Sequence, residues 1–120
     1  MDKSPEHHDN ISTQESLLYY VMSYLKNNVY QINALSRLSE DTGYSYSYLS
    51  HLFSQKMGQT LKGFFASIRM NAADKLLAEK TVSEVSELLG YSSVHAFSRA
   101  YKAARNELPN TMHQKSKANR

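Results

Sequence analysis

The same short pattern occurs twice in this chain, at Gly43-Tyr44-Ser45 and again 47 residues later at Gly90-Tyr91-Ser92. Leu35 and Leu38 stand eight and five residues ahead of the first glycine, and Val82 and Val85 hold the same offsets ahead of the second. Downstream, Leu49, Leu52 and Phe53 are answered by Phe97, Ala100 and Tyr101, now 48 residues apart, so the second copy carries one more residue in its turn. Apolar residues at these spacings fall on one face of a helix. A glycine can take the positive φ that ends the first helix of each pair, and a small polar residue can cap the second. Each copy therefore reads as a helix, a turn and a helix.

At 120 residues the chain suits one ordinary domain or two very small ones sharing an element. Cysteine is absent, which excludes a disulfide framework, thiolate metal sites and cysteine nucleophiles. No apolar run approaches a membrane span, and residues 1–10 are polar rather than signal-like, so the expectation is a soluble cytoplasmic protein. The charge is unevenly spread. Up to Gly90 eight Lys/Arg face ten Asp/Glu, whereas from Tyr91 onward Arg99, Lys102, Arg105, Lys115, Lys117 and Arg120 face only Glu107. A basic C-terminal part favours an anionic partner, with nucleic acid first and an acidic membrane surface second.

Pro5 and Pro109 are the only prolines, leaving about a hundred residues without an obligate helix breaker. The expected fold is all-α, with two helix-turn-helix subdomains joined by a long connecting helix, about seven helices in total. A flexible arm or linker occupies residues 1–14, the first subdomain 15–58, the connecting helix 59–80, the second subdomain 81–113 and a basic tail 114–120. Leu18, Val21, Met22 and Leu25 place the first helix, ending near Asn27-Asn28. Short helices follow over about 33–42 and 47–57. Thr60 is placed to cap a long helix whose stripe is Leu61, Phe65, Ile68, Ala72 and Leu76; about twenty residues give roughly 30 Å of rod. Ser83 reads as the start of the next short helix, without a full capping box, and the last amphipathic helix spans about 94–105. A final turn is expected around Leu108–Met112. Tyr44-Ser45-Tyr46-Ser47-Tyr48 alternates with the period of a strand, but the turn glycine and the Leu49/Leu52/Phe53 stripe bracket it, which favours helix.

Together these residues resemble the DNA-binding domain of the AraC/XylS family of bacterial transcription regulators. The likeness runs from about Leu17 to His113. Its most specific part is Arg69-Met70, Ala73, Leu76-Leu77, Val82 to Leu89, Gly90-Tyr91-Ser92, Phe97-Ser98-Arg99, Tyr101-Lys102 and Pro109. The resemblance implies two helix-turn-helix units bridged by one helix, double-stranded DNA as partner and contact with RNA polymerase. Relatives commonly attach an effector, receiver or dimerisation domain on the N-terminal side, so the resemblance implies either such a domain ahead of this sequence or a free-standing regulator of the smaller kind. Three positions depart from the family pattern. Ser39 and Ser86 stand where alanine is usual, and Asn106 with Leu108-Pro109 replaces a glycine and a Ser/Thr-Pro. His51 occupies a position where many relatives carry arginine.

A DNA-reading helix holds itself on its domain with one face and meets base edges with the other. In the first such helix Leu49, Leu52 and Phe53 point inward, leaving Tyr46, Ser47, Ser50, His51 and Gln55 outward. In the second, Phe97, Ala100 and Tyr101 point inward, leaving Val94, His95, Ser98, Arg99 and Lys102 outward. Arg99 is the candidate for a bidentate guanine contact and Val94 for a thymine methyl. Ser45, Ser92 and Lys102 suit phosphates. Two recognition helices entering adjacent major grooves is the arrangement expected.

Other chemistries find little support. The five histidines, His7, His8, His51, His95 and His113, lack ligand-like spacing, so neither a metal nor another cofactor is expected. Glu40, Asp41, Asp74 and Glu79 form no acid/base pair, and an enzyme is not expected. Most of Tyr19, Tyr20, Tyr24 and Tyr101 read as half-buried packing residues. Two alternatives stay open: a helical protein-interaction module using Tyr44, Tyr46 and Tyr91, and a single-stranded nucleic-acid binder stacking bases on its tyrosines.

Overall fold

The computed structural model describes residues 11–109. Six helices run in order: α1 (Ile11–Asn27), α2 (Ala34–Thr42), α3 (Tyr46–Met57), α4 (Leu61–Leu77), α5 (Val82–Leu88) and α6 (Val94–Arg105). No strand occurs among the described residues, and the alternating tyrosines fall in the turn between α2 and α3 and the start of α3 rather than in a sheet. The seventh element expected around Leu108–Met112 and the basic tail lie, from residue 110 on, outside the described residues, as does the arm over residues 1–10. Helix α1 begins at Ile11, so the last part of the expected arm is already helical.

The chain divides into two compact units. The first comprises Met1–Asn28 and Asn33–Phe65, the second Val29–Ile32 and Ala66–Arg120. The boundary differs from the expected 59–80 connector. The first turn of α4 belongs to the first unit and the remainder to the second, and the loop Val29–Ile32 after α1 is also part of the second. That loop carries no periodic apolar signal, which is why sequence pattern assigned it to its neighbours.

In the first unit Leu18, Val21 and Leu25 of α1, Ala34 and Leu38 of α2, and Leu49, Leu52 and Phe53 of α3 are buried together with Leu61 and Phe65. Helix α1 packs on both α2 and α3, and α2 on α3. Phe53 meets the Phe64 ring at 5.3 Å between centroids. Burying each such large side chain contributes about 1.5–3 kcal/mol. Two tyrosines expected to be packed are not. Tyr19 and Tyr20 are exposed, because α1 turns its 18/21/25 ridge inward and they lie beside it.

The second unit is built on Met70, Ala73 and Leu77 of α4, Val85 and Leu89 around α5, and Phe97 and Tyr101 of α6, with Ala72, Leu76, Val82, Tyr91 and Ala100 packed at the margin. Helix α4 differs from expectation in length and in face. It has 17 residues, about 25 Å rather than about 30 Å. Its buried positions are Leu61, Phe65, Arg69, Met70, Ala73 and Leu77, while Ile68, Ala72 and Leu76 are half-buried. The reason is a cation in the apolar row, Arg69, which a hydrophobic pattern skips. Thr60 does cap this helix, its Oγ1 accepting the Gly63 N–H at 2.9 Å.

Helix α5 starts at Val82, one residue earlier than Ser83, and its cap lies one residue earlier still. Thr81 is its N-cap and forms a complete capping box: the Glu84 N–H donates to Thr81 Oγ1 at 3.1 Å, and the Thr81 N–H donates to Glu84 Oε1 at 2.9 Å. Those hydrogen bonds hold the Glu84 carboxyl below the usual carboxylate range. The capping box that is absent after Ser83 is present after Thr81.

Candidate nucleic-acid interface

The two turns end their first helices by different routes. In the first, Gly43 sits at φ 82° and its N–H reaches Ser39 O at 2.8 Å, a single left-handed cap. Thr42 completes it: its buried Oγ1 donates to Leu38 O at 2.8 Å and accepts the Tyr44 N–H at 3.2 Å. In the second, Gly90 takes the same φ of 82°, but the Tyr91 N–H reaches back to Ser86 O and the Gly90 N–H to Glu87 O, both at 3.0 Å. That pair of bonds is a Schellman motif. Helices α3 and α6 are then capped by Ser45 and Ser93, each hydroxyl accepting the N–H three residues on, from Tyr48 at 3.1 Å and from Ala96 at 3.0 Å. Ser45 thus corresponds to Ser93 rather than to Ser92. The additional residue of the second turn lies between Gly90 and its cap.

From the caps onward α3 and α6 match residue for residue at an offset of 48. Both have 12 residues. Gly58 and Asn106 close them in the left-handed region at φ 72° and 61°, each N–H returning to the carbonyl four residues back. This places Leu49 with Phe97, Leu52 with Ala100 and Phe53 with Tyr101 on the inner face. On the outer face Tyr46 corresponds to Val94, Ser47 to His95, Ser50 to Ser98, His51 to Arg99 and Ser54 to Lys102.

The expected contact residues occupy that outer face. Ser45, Ser47, His51 and Gln55 are exposed, and Tyr46 and Ser50 half-buried. Tyr46, Ser47, Ser50 and His51 line one shallow depression along α3, joined by Ser54, whereas Ser45 and Gln55 lie outside that lining. Ser54 was not anticipated; the 48-residue offset from Lys102 was the signal that could have found it. On the second helix Val94 is 40% exposed, a large apolar side chain left in water. Ser92, His95, Arg99 and Lys102 are exposed and Ser98 is half-buried.

Arg105, by contrast, is withdrawn from this set. Its Nε donates to Asp74 Oδ2 at 3.1 Å, Nη2 lies 3.0 Å from the same oxygen in an ion pair, and Nη2 donates to Asn71 Oδ1 at 2.8 Å. The other carboxylate oxygen of Asp74 accepts from the Tyr101 hydroxyl at 2.6 Å. Burial, reinforced by that hydrogen bond and by the Asp74 charge, pushes the Tyr101 hydroxyl well above the usual phenol range. Asp74 therefore ties both Tyr101 and Arg105 of α6 to α4.

The second turn is braced from below by Arg69. Its guanidinium is buried, with Nη1 donating to Val29 O at 2.8 Å and Nη2 to Leu89 O at 2.6 Å. The Tyr91 ring lies 5.0 Å from its Cζ. Ser86 adds a further link: its buried hydroxyl donates to Ser93 O at 3.0 Å. The serine that stands where the family usually has alanine thus joins α5 directly to the start of α6.

A chain with two capped helix-turn-helix units, each presenting a polar outer face on its second helix, defines a helix-turn-helix protein. Comparison with known proteins narrows this. A family described as "Helix-turn-helix domain" matches residues 38–115. The HTH-type transcriptional regulator YfiF of Bacillus subtilis is 31% identical over 101 residues, covering 82% of this chain and 32% of the relative. The regulator YobQ of the same organism is 26% identical over 87 residues, covering 71% and 36%. Among solved structures, the C-terminal domain of AraT, a response regulator from Geobacillus stearothermophilus, is 28% identical with a TM-score of 0.76 over 82% of this chain and 84% of that one. An AraC-type regulator from Chromobacterium violaceum, 22% identical, shares the fold with a TM-score of 0.73 over 88% and 96%. The chain belongs to the AraC/XylS-type helix-turn-helix family, whose business is DNA-binding transcription regulation. It spans about a third or less of the length of the first curated relatives it matches.

Proposed function

We propose that this chain binds operator DNA as the reading part of a bacterial transcription regulator, with α3 and α6 each presenting its outer face to a major groove. The observation that carries this reading is the surface of α6. Phe97 and Tyr101 are fully buried while Val94, His95, Arg99 and Lys102, at helical spacing on the opposite side, are exposed. Nothing in the packing of the second unit requires a valine, an arginine and a lysine there, whereas a groove does. Arg99 reads guanine through N7 and O6, Val94 contacts a thymine methyl, and Lys102 neutralises a phosphate. In the first unit Tyr46, Ser47, Ser50, His51 and Gln55 meet bases, and Ser45 and Ser92 sit beside the backbone at the helix starts, where free N–H groups attract phosphate.

Several finer features belong to the same proposal. The two reading helices address adjacent grooves of one operator. The complete regulator carries a sensing, receiver or dimerisation domain on the N-terminal side, contacts RNA polymerase, catalyses no reaction and works in the cytoplasm. Among the described residues no helix is long and apolar enough to cross a membrane, and no three His, Cys, Asp or Glu form a metal-binding group.

Selection of bound sequences from a random duplex pool, followed by anisotropy titration, tests the reading. Arg99→Ala is expected to relax preference at one base position at a cost of about 1–3 kcal/mol. Lys102→Ala should weaken all sequences alike and reduce the salt slope by about one. Equal affinity for all duplexes, insensitive to salt, refutes it. A preference for unpaired strands would instead support stacking on the tyrosines.

A further inference from the structure

The residue-for-residue match of α3 and α6 shows that the outer faces have diverged in charge. On α6 the positions carry Val94, His95, Ser98, Arg99 and Lys102; on α3 they carry Tyr46, Ser47, Ser50, His51 and Ser54. Two permanent cations on one helix correspond to a histidine and a serine on the other. We infer that His51 is a proton-dependent specificity residue: when protonated it takes the place in the first unit that Arg99 holds in the second, and when neutral it leaves that unit without a cationic reader. This rests on the proposal that α3 and α6 read duplex DNA.

The chemistry follows from the acceptors on DNA. Guanine offers N7 and O6 to the major groove and phosphates offer oxygens, all of them hydrogen-bond acceptors. Arginine donates to them at any physiological pH, whereas neutral imidazole holds one N–H and one lone pair, and only imidazolium is a donor on both nitrogens with a full charge. Histidine is the side chain whose charge ordinarily changes between about pH 5 and 8. His51 is exposed and opens on a depression lined otherwise by Tyr46, Ser47, Ser50 and Ser54, so the only other ionisable group lining it is a tyrosine. Of the ionisable groups of α1 and α2, the helices packed behind α3, Tyr20 and Asp41 line one other depression and Tyr24, Arg37, Glu40 and Asp41 another, while Glu15, Tyr19 and Lys26 of α1 line none of the three. No carboxylate lines the depression to hold the imidazolium in place of DNA.

The test is anisotropy titration of the full chain with duplexes selected from a random pool, at about pH 6 and about pH 8. Wild type is compared with His51→Gln and His51→Arg, both at an exposed position, with far-UV circular dichroism confirming the fold at both pH values. Wild type should bind about fivefold more tightly at the lower pH than its His51→Gln variant, the difference between a charge-assisted and a neutral hydrogen bond. His51→Arg should bind tightly at both pH values. Guanine enriched at a half-site only in the low-pH selection assigns the contact to a base; a gain shared by all sequences assigns it to a phosphate. Either supports the inference. A His51→Gln variant that retains the wild-type pH response overturns it while leaving DNA binding intact. Absence of duplex binding at either pH overturns the DNA-binding proposal itself.

Discussion

Replacing Arg69 by methionine should destabilise the second unit out of proportion to the volume changed. Methionine fills much of the space of the aliphatic stem, so the apolar contacts with the α4 row largely persist. What is lost are two hydrogen bonds from a cation to backbone carbonyls, Nη1 to Val29 O and Nη2 to Leu89 O, and the approach to the Tyr91 ring. Charge-assisted hydrogen bonds contribute about 1.5–3 kcal/mol each and the ring contact about 0.5–1 kcal/mol. Relief from holding a guanidinium out of water offsets part of this, which sets the net cost at about 3–4 kcal/mol. Arg69→Lys should recover only part of the loss, because one ammonium lacks the planar fork that spans two carbonyls from different segments. Urea unfolding followed by far-UV circular dichroism gives the total. Amide exchange gives the place: faster exchange over α5, α6 and residues 29–32, with α1 to α3 close to wild type. DNA affinity should fall as well, since the Leu89–Tyr91 segment sets where α6 begins. Stability of Arg69→Met within about 0.5 kcal/mol of wild type, the range of an ordinary surface substitution, would refute this account of the turn.

Gly90→Ala should cost about 1–2 kcal/mol in the same urea assay, because its φ of 82° is unfavourable for any residue with a Cβ, although the added methyl would meet Ile32 at an ordinary 3.6 Å; Gly90→Asn should cost less, and an unchanged midpoint for alanine would contradict the left-handed turn. Tyr101 gives a pH dependence of defined sign: its folded-state hydroxyl titrates above its unfolded value near 10, so its contribution is complete below about pH 10 and is lost as pH rises beyond it. Thermal melts between about pH 9 and 11 should therefore fall more steeply for wild type than for Tyr101→Phe, and equal slopes would exclude it.

The paired helices and their inner faces were legible because periodicity records burial. Phe97 and Tyr101 repeat Leu49 and Phe53, and all four are buried. The features that escaped are those whose partners lie far along the chain. Arg69 bonds to carbonyls 40 and 20 residues away, and no local pattern distinguishes it from a solvated arginine on a helix. Its inclusion in the buried row also displaced the predicted stripe of α4 onto Ile68, Ala72 and Leu76. Arg105 reads as a free cation in sequence and is tied to Asp74, 31 residues earlier. The start of α5 was different in kind. Thr81 and Glu84 stand at capping-box spacing in the sequence, but Ser83 offered a competing cap, and only packing of Val82 and Val85 decides between two registers. Exposure of Tyr19 and Tyr20 reflects the choice of one ridge of α1 over its neighbour. Amphipathic tyrosines tolerate either side of that choice.

The two copies differ most where packing leaves them free to differ. On the inner faces of α3 and α6 the substitutions stay apolar, because each position must fill a core. At the turns, the same task of ending one helix and starting the next is met with different groups. The first uses the Thr42 hydroxyl and a single left-handed cap; the second uses a Schellman motif, the Ser86 hydroxyl and the Arg69 guanidinium. On the outer faces serine stands opposite lysine and histidine opposite arginine, changes that packing neither requires nor resists. A duplicated unit retained only to build a fold has no reason to accumulate charge on one copy's solvent face. On the proposed reading the asymmetry suits two readers of unequal strength: Arg99 and Lys102 bring permanent cations to the duplex, and the first unit's hydroxyls and imidazole add discrimination to that of Arg99. Exchanging the outer residues as a block, with His51→Arg and Ser54→Lys together, should raise affinity for all duplexes and flatten the difference between preferred and random sequence. An unchanged ratio would show that discrimination lies in α6 alone.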